Sequence, residues 1–409
     1  MSFRLFQRQT AAVPSFSPHQ RKENPQLADS SPAILPGDGQ TGKGRRVPAR
    51  AMLQNSAFWG RVGELEGEGN PFFRASEKGF PSPSNPEIKI LYRGNSMQYP
   101  THYEEGKKVS FMKFDQRLAG LLFMPGSMTE GATYPAVVVT HPGGGVKEQC
   151  SSLYAWHLAQ AGFVALAFDA AHQGESEGLP RYLEDPASRV EDIRSAVDYL
   201  TTLPFVDAGR IGAMGICAGG GYTMSAIQTD ARIRAAAGIS TWDVGDSARN
   251  GFPGVNIENF FQKLLKEVAD ARIAEARGEE PRYWNYVPAS ADAIDENTSV
   301  IQREAYEYYR TPRCQYPTSV NKYLVSSNDK LAAFDAFAHI ATVSPRPLLF
   351  IVGSRADTLY FTEDAYSRAK EPKEICTIEG ATHVDLYDRP PFVEQVVARL
   401  TDFFGKALR

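Results

Sequence analysis

A chain of 409 residues with 42% hydrophobic content can bury a large core, as one large domain or two smaller ones. Its net charge of -4 is spread without a basic face, which argues against a nucleic-acid partner, and no stretch approaches the ~20 apolar residues that span a bilayer. The four cysteines, at 150, 217, 314 and 376, form no C-x-x-C pair and have no histidine spacing for zinc, so no metal is expected.

Residues 1–50 are rich in Pro, Ser, Gln, Arg and Gly, carry no acid before Glu23, and are expected to form a disordered tail. The start of that stretch, with Arg4 and Arg8 among scattered Phe and Leu, also resembles a mitochondrial transit peptide. Residues 51–106 form an extension with mixed composition, including Trp59, Phe72, Phe73 and Tyr92, and no function is legible in it. Residues 87–92 read as a strand, and packing against the catalytic domain or against a second subunit, as in a homodimer, are both open.

From residue 107 the pattern settles. Residues 109–114 and 118–123 read as a hairpin of antiparallel edge strands. Apolar strand runs follow at 136–140, 163–168, 211–214, 347–353 and 374–378, with 206–210 read as a turn. Helical stretches at 152–161, 188–203, 222–228, 363–369 and 392–407 alternate with them, the last placing Phe392, Val396, Leu400 and Phe403 on one face. This rhythm predicts an α/β fold with a mostly parallel sheet flanked by helices. The catalytic domain is expected over 107–241 and 340–409, interrupted at 242–339 by a helical cap with helices at 258–277 and 299–310. Aromatic residues are frequent in that insertion, and it is expected to roof an apolar pocket. Trp242, at a strand's carboxyl end, is the ring placed in the pocket.

The chemistry centres on Gly215-Ile216-Cys217-Ala218-Gly219, which follows an apolar run and precedes a helical one. This is the G-x-S-x-G pattern with cysteine in place of serine: the nucleophile occupies a sharp strand-to-helix turn where flanking side chains would strike backbone. A buried structural thiol is the alternative use of such a cysteine. Candidate partners come later, in the order acid then histidine: Asp357 on the loop after 347–353, and His383 on the loop after 374–378. In this reading Cys217 attacks a carbonyl, His383 takes and returns the proton, and Asp357 orients the imidazole. The helix N-terminus and the nearby imidazole are expected to lower the thiol pKa. Asp357 as the cap of a helix starting near Phe361, and Asp385 or Asp388 as the acid instead, are the alternatives weighed.

Residues 136–140 run into His141-Pro142-Gly143-Gly144-Gly145, whose glycines let backbone N–H groups approach a carbonyl oxygen. One oxyanion donor is expected from Gly143 or Gly144 and the other from Ala218, with His141 shaping the loop. Asp169 and His172 follow the strand 163–168 and are candidate pocket residues, with pinning of the loop as the alternative for Asp169. The glycine clusters spell no nucleotide-binding motif, so no cofactor is expected.

These residues together carry a family resemblance. Residues 141–149, 215–222, 354–357 and 381–388 resemble the α/β-hydrolases, and within them the dienelactone-hydrolase-like group and the related polyketide transferases, from about residue 107 onward. The resemblance implies a Cys217-Asp357-His383 triad, and the long insertion favours the polyketide-transferase comparison. The function implied is an acyl hydrolase or acyltransferase working on an ester or acyl thioester, with an acyl-carrier domain as a conceivable donor. A carboxylesterase or lactonase is the second reading, and a non-catalytic receptor or redox sensor the third. A catalytic thiol points to a reducing, cytoplasmic setting.

Overall fold

The computed structural model describes residues 103–251, 259–296 and 298–409. The expected tail, the 51–106 extension up to residue 102, the strand at 87–92 and Phe252 lie outside the described residues.

A hairpin of β1 (Lys107–Lys113) and β2 (Gln116–Phe123) opens an eight-stranded sheet. It continues with β3 (Tyr134–Thr140), α1 (Cys150–Gln160), β4 (Val164–Phe168), α2 (Pro186–Thr201), β5 (Val206–Ile216), α3 (Ala218–Thr229) and β6 (Ile233–Ile239). The insertion carries α4 (Val244–Asn250), α5 (Phe260–Ala276), β7 (Tyr283–Asn285), α6 (Val300–Arg310), β8 (Lys322–Leu324) and α7 (Asn328–Ala332). The sheet then resumes with β9 (Leu348–Gly353), α8 (Leu359–Arg368), β10 (Lys373–Ile378), a short α9 (Asp385–Asp388) and the terminal α10 (Pro390–Ala407).

Strand order is β1-β2-β4-β3-β5-β6-β9-β10. Within this sheet, among the described residues, the β1–β2 and β2–β4 pairings are antiparallel and the rest parallel. The central strands are buried on both faces, as in Ala136 to Val139 of β3, which is why they read as unbroken apolar runs. The reading of 206–210 as a turn needs correction: β5 includes these residues. Its partner β3 skips across them, pairing Tyr134 with Val206 and Ala136 with Ile211. A bulge of this kind leaves a polar Asp-Ala-Gly-Arg excursion inside a strand, which sequence alone renders as a turn.

The terminal helix buries Val393, Val396, Leu400, Phe403 and Phe404, so Val393 takes the place expected of Phe392 at its inner end. The insertion contains helices near both expected positions and a two-stranded ribbon, β7–β8, whose first strand precedes α6 and whose second follows it. Among the described residues, no helix is long and apolar enough to cross a membrane.

Candidate active site

Strand order decides what meets at the sheet's carboxyl edge. Because β3 and β5 are adjacent, the 141–145 loop lies beside the turn that holds Cys217. Because β6 separates β5 from β9, Trp242 comes between that turn and the loop after β9. In wound parallel sheets this edge is where ligands bind.

Cys217 occupies a left-handed backbone conformation, φ 57°, between β5 and α3. The flanking glycines are required by contact: a Cβ on Gly215 would fall 2.0 Å from the Gly219 carbonyl oxygen, and one on Gly219 would fall 2.5 Å from that of His141. The strained turn is held by two bonds, from Cys217 N to Ile239 O at 2.9 Å and from Trp242 N to Cys217 O at 3.1 Å. Backbone N–H groups of Ala218 and Gly143 both point at the Cys217 sulfur. Gly144, also expected as a donor, faces the insertion: its carbonyl accepts from Ser319 Oγ at 2.8 Å and Asn321 Nδ2 at 2.6 Å. Its φ of +72°, and a would-be Cβ 2.7 Å from Tyr286, leave room there for glycine alone.

His383 is fully buried. Its Nδ1 lies 2.5 Å from the Thr358 hydroxyl and its Nε2 lies 3.2 Å from the Tyr387 hydroxyl. The Tyr387 hydroxyl is also a hydrogen-bond partner of the Cys217 sulfur, so one phenol stands between thiol and imidazole. The Asp357 carboxylate faces a different group: Oδ2 accepts from Ile301 N at 3.3 Å, at the N-terminus of α6. Asp357 thus caps a helix, as one alternative held, but it is α6 of the insertion rather than α8, and the cap is part-buried. The other candidate acids are committed elsewhere. Asp388 pairs with Arg313 at 2.5 and 2.9 Å, and Asp385 accepts from Thr382 N at 3.0 Å.

The expected lowering of the thiol pKa is reversed. Burial pushes Cys217 up to about 11, against the opposing hydrogen bonds from Tyr387, Ala218 and Gly143. Burial alone drives His383 down to about 3. The resting pair is therefore a neutral thiol and a neutral imidazole, because desolvation penalises both ions and no carboxylate touches the ring. Asp357 is raised to about 6 by burial, with the Ile301 and Asp357 backbone N–H groups opposing.

Two further expectations fail. Neither Asp169 nor His172 lines the cavity above Cys217. Asp169 bonds Lys147 Nζ at 2.8 Å and accepts from the backbone N–H groups of Lys147 and Glu175. His172 Nδ1 lies 3.0 Å from Pro180 O. Their polarity is spent inside the loops, so none remains for a ligand. Lys147 is the hub, with Glu148 at 2.6 Å and Glu175 at 2.7 Å as well. His141 is buried, accepts at Nε2 from Ala170 N at 3.0 Å, and receives Arg189 on its carbonyl at 2.9 Å, so it shapes the loop.

The cavity together with the open solvent at its mouth encloses about 770 Å³ and is walled mostly by apolar and aromatic side chains, with Cys217, Ala218, Gly143, Trp242 and Tyr387 among them. Trp242 stacks on Phe361 at 5.6 Å, meets His383 edge-on at 5.8 Å and anchors its indole N–H on Ser247 at 2.9 Å. Tyr286, Ile301 and Tyr309 come down from the insertion. Among the described residues, no cluster of His, Cys, Asp and Glu is arranged to hold a metal ion. Three participants escaped the sequence reading: Thr358, Tyr387 and Glu184. For Tyr387 a signal existed, since it stands four residues after His383 at the start of a helical turn.

This wound sheet, with a strained cysteine turn after β5 and a histidine loop after β10, is the architecture of an α/β-hydrolase. Residues 118–240 match the dienelactone hydrolase family, and the chain belongs to that family. It is 39% identical over 307 residues to the uncharacterized protein YcjY of Escherichia coli strain K12, covering 74% of this chain and 99% of YcjY. The crystal structure of hypothetical protein PA2218 from Pseudomonas aeruginosa matches with a TM-score of 0.70 at 32% identity, covering 77% of this chain and 99% of that one. The polyketide transferase claH of Penicillium crustosum is 32% identical over 286 residues, or 68% of this chain and 91% of claH.

Proposed function

We propose that this protein is an acyl hydrolase or acyltransferase that cleaves an ester or thioester through a covalent acyl-Cys217 intermediate. The observation that carries this reading is the Cys217 sulfur on a positive-φ turn at an apolar cavity, with the N–H groups of Gly143 and Ala218 converging on it.

In the proposed reaction the thiol attacks the substrate carbonyl as its proton passes, by way of the Tyr387 hydroxyl, to Nε2 of His383. The carbonyl oxygen takes up negative charge where Gly143 N–H and Ala218 N–H donate. Collapse expels the thiol or alcohol leaving group, which takes the proton back from the imidazolium. Water or an alcohol then attacks the acyl-Cys217 thioester with His383 again as base, releasing the acid or a new ester. Thr358 orients the ring at Nδ1, and Asp357, whose carboxylate bonds Ile301 N at rest and does not touch the ring, is assigned a longer-range negative charge that favours imidazolium. Because both reacting groups rest neutral, ionisation is confined to the moment of attack.

The cavity accepts an extended apolar acyl group, and the likeness to a polyketide transferase agrees with a carbon-chain acyl donor. Incubation with an acyl thioester and with an aryl ester, followed by intact-mass measurement, tests the reading. The expected result is one added acyl group that maps to Cys217 and is absent in Cys217→Ala. Acylation by neither donor, or an adduct that survives Cys217→Ala, overturns it.

A further inference from the structure

The cavity wall is mostly apolar, and among its polar groups Glu184 is the carboxylate. Glu184, on the loop leading into α2, reaches it with 2% of its surface exposed. Its Oε1 accepts the Tyr222 hydroxyl at 2.7 Å and stands 3.5 Å from Arg189 Nε. Its Oε2 is buried with no hydrogen-bond partner. On the same wall the Tyr286 hydroxyl is also buried and unpartnered. Burial first, and the Glu184 charge next, hold that phenol well above its ordinary pKa, so it remains a proton donor.

A buried acceptor and a buried donor left unmatched on one wall are costly unless a ligand completes them. The ligand group must donate to Glu184 and accept from Tyr286. An ammonium donates but cannot accept, and a carbonyl accepts but cannot donate. The Arg189 guanidinium beside Glu184 already offsets its charge, which removes the call for a cation. A neutral hydroxyl meets both requirements.

We propose that Glu184 and Tyr286 form a hydroxyl-recognition subsite, and that the preferred substrates are hydroxyacyl esters or thioesters whose hydroxyl docks there. The subsite rests on the acyl-transfer reading for its role in turnover, yet it makes a claim about binding that stands apart from the chemistry.

The test uses the full chain carrying Cys217→Ala, so that ligands bind without turning over. Calorimetry compares octanoyl-N-acetylcysteamine with its monohydroxy isomers, the hydroxyl being moved along the chain. At least one isomer is expected to bind about tenfold or more tightly than the unsubstituted parent, the scale of a hydrogen bond to a charged group. Adding Tyr286→Phe, which keeps the ring, or Glu184→Gln should bring that ratio close to unity. Should Glu184→Gln fail to fold, Tyr286→Phe decides alone. The proposal is overturned when every isomer binds no better than the parent, or when the preference survives Tyr286→Phe. A preserved preference in a protein whose wild type never acylates Cys217 supports the subsite while removing the chemical reading.

Discussion

The Tyr387 hydroxyl lies 3.2 Å from Nε2 of His383 and is at the same time a hydrogen-bond partner of the Cys217 sulfur, so the imidazole and the thiol meet through a phenol. Tyr387→Phe keeps the ring packing on Tyr308 and removes the bridge. Acylation, followed as the burst from an aryl ester, is expected to slow by ~10²-fold, the lower end of what a positioned proton-transfer group contributes. An unchanged burst rate would show that thiol and imidazole reach each other without it.

Thr358, which touches Nδ1 of His383, and its sequence neighbour Asp357, which does not, separate orientation from charge. Asp357→Asn is expected to lower kcat by ~10-fold or more, because an amide cannot balance imidazolium from a distance, and Thr358→Val, which removes the orienting hydroxyl, by a comparable factor. A kcat for Asp357→Asn within threefold of wild type would remove Asp357 from the mechanism.

The same carboxylate sets the pH profile. With Asp357 raised to about 6, His383 lowered to about 3 and Cys217 raised to about 11, kcat/KM should fall on the acid side as Asp357 gains a proton near pH 6. It should then stay level through neutral and mildly alkaline pH. Asp357→Asn should abolish the acid limb. A bell centred near neutrality in the wild type would instead indicate a preformed thiolate–imidazolium pair.

Glu304 of α6 carries a pH-dependent stability. Burial, and then Asp385, push it up to about 8, although Thr382 donates to it at 2.8 Å. Its folded pKa exceeds its unfolded one, so its stabilising contribution is complete below about 4.5 and is lost as pH rises through about 8. The slope is at most ~1.4 kcal/mol per pH unit. Thermal melts of Glu304→Gln should show a higher Tm relative to wild type at pH 8 than at pH 5. A Tm difference independent of pH would refute the assignment.

Lys147 holds three carboxylates with 1% of its side chain exposed. Lys147→Met would strand Asp169 and Glu148 without their cation, and urea unfolding should report a loss of about 3–5 kcal/mol. A loss below about 1 kcal/mol would mean that the loops hold without it.

Much of the fold was readable because the strands are buried on both faces and appear as apolar runs, while Cys217 and its glycines mark a turn that only one geometry satisfies. His383 was placed by its position after a late strand. The pKa of Cys217 was not readable: the local features around it favour thiolate, and only the packed structure reveals the desolvation that outweighs them. Asp169 stayed open between pocket and loop for a related reason, since a strand-end acid looks the same in sequence whether it faces a ligand or a buried lysine. The pairing of His383 with Thr358 depends on side-chain rotation, which residue spacing does not encode. Glu184 is separated from Cys217 by a whole strand and helix, and nothing in its neighbours signals a cavity.

The carbonyl of Gly144 is gripped by Ser319 and Asn321, and the Tyr286 ring closes over the same glycine. The segment that shapes the roof is thus also a brace for the 141–145 loop, and under the proposed reaction selectivity and rate share one mechanical part. An engineer who transplants a foreign insertion to change the menu of substrates would loosen a donor beside the sulfur in the same stroke. Retuning of this enzyme should therefore proceed by changes at the cavity face of the insertion, with its two anchoring side chains left in place.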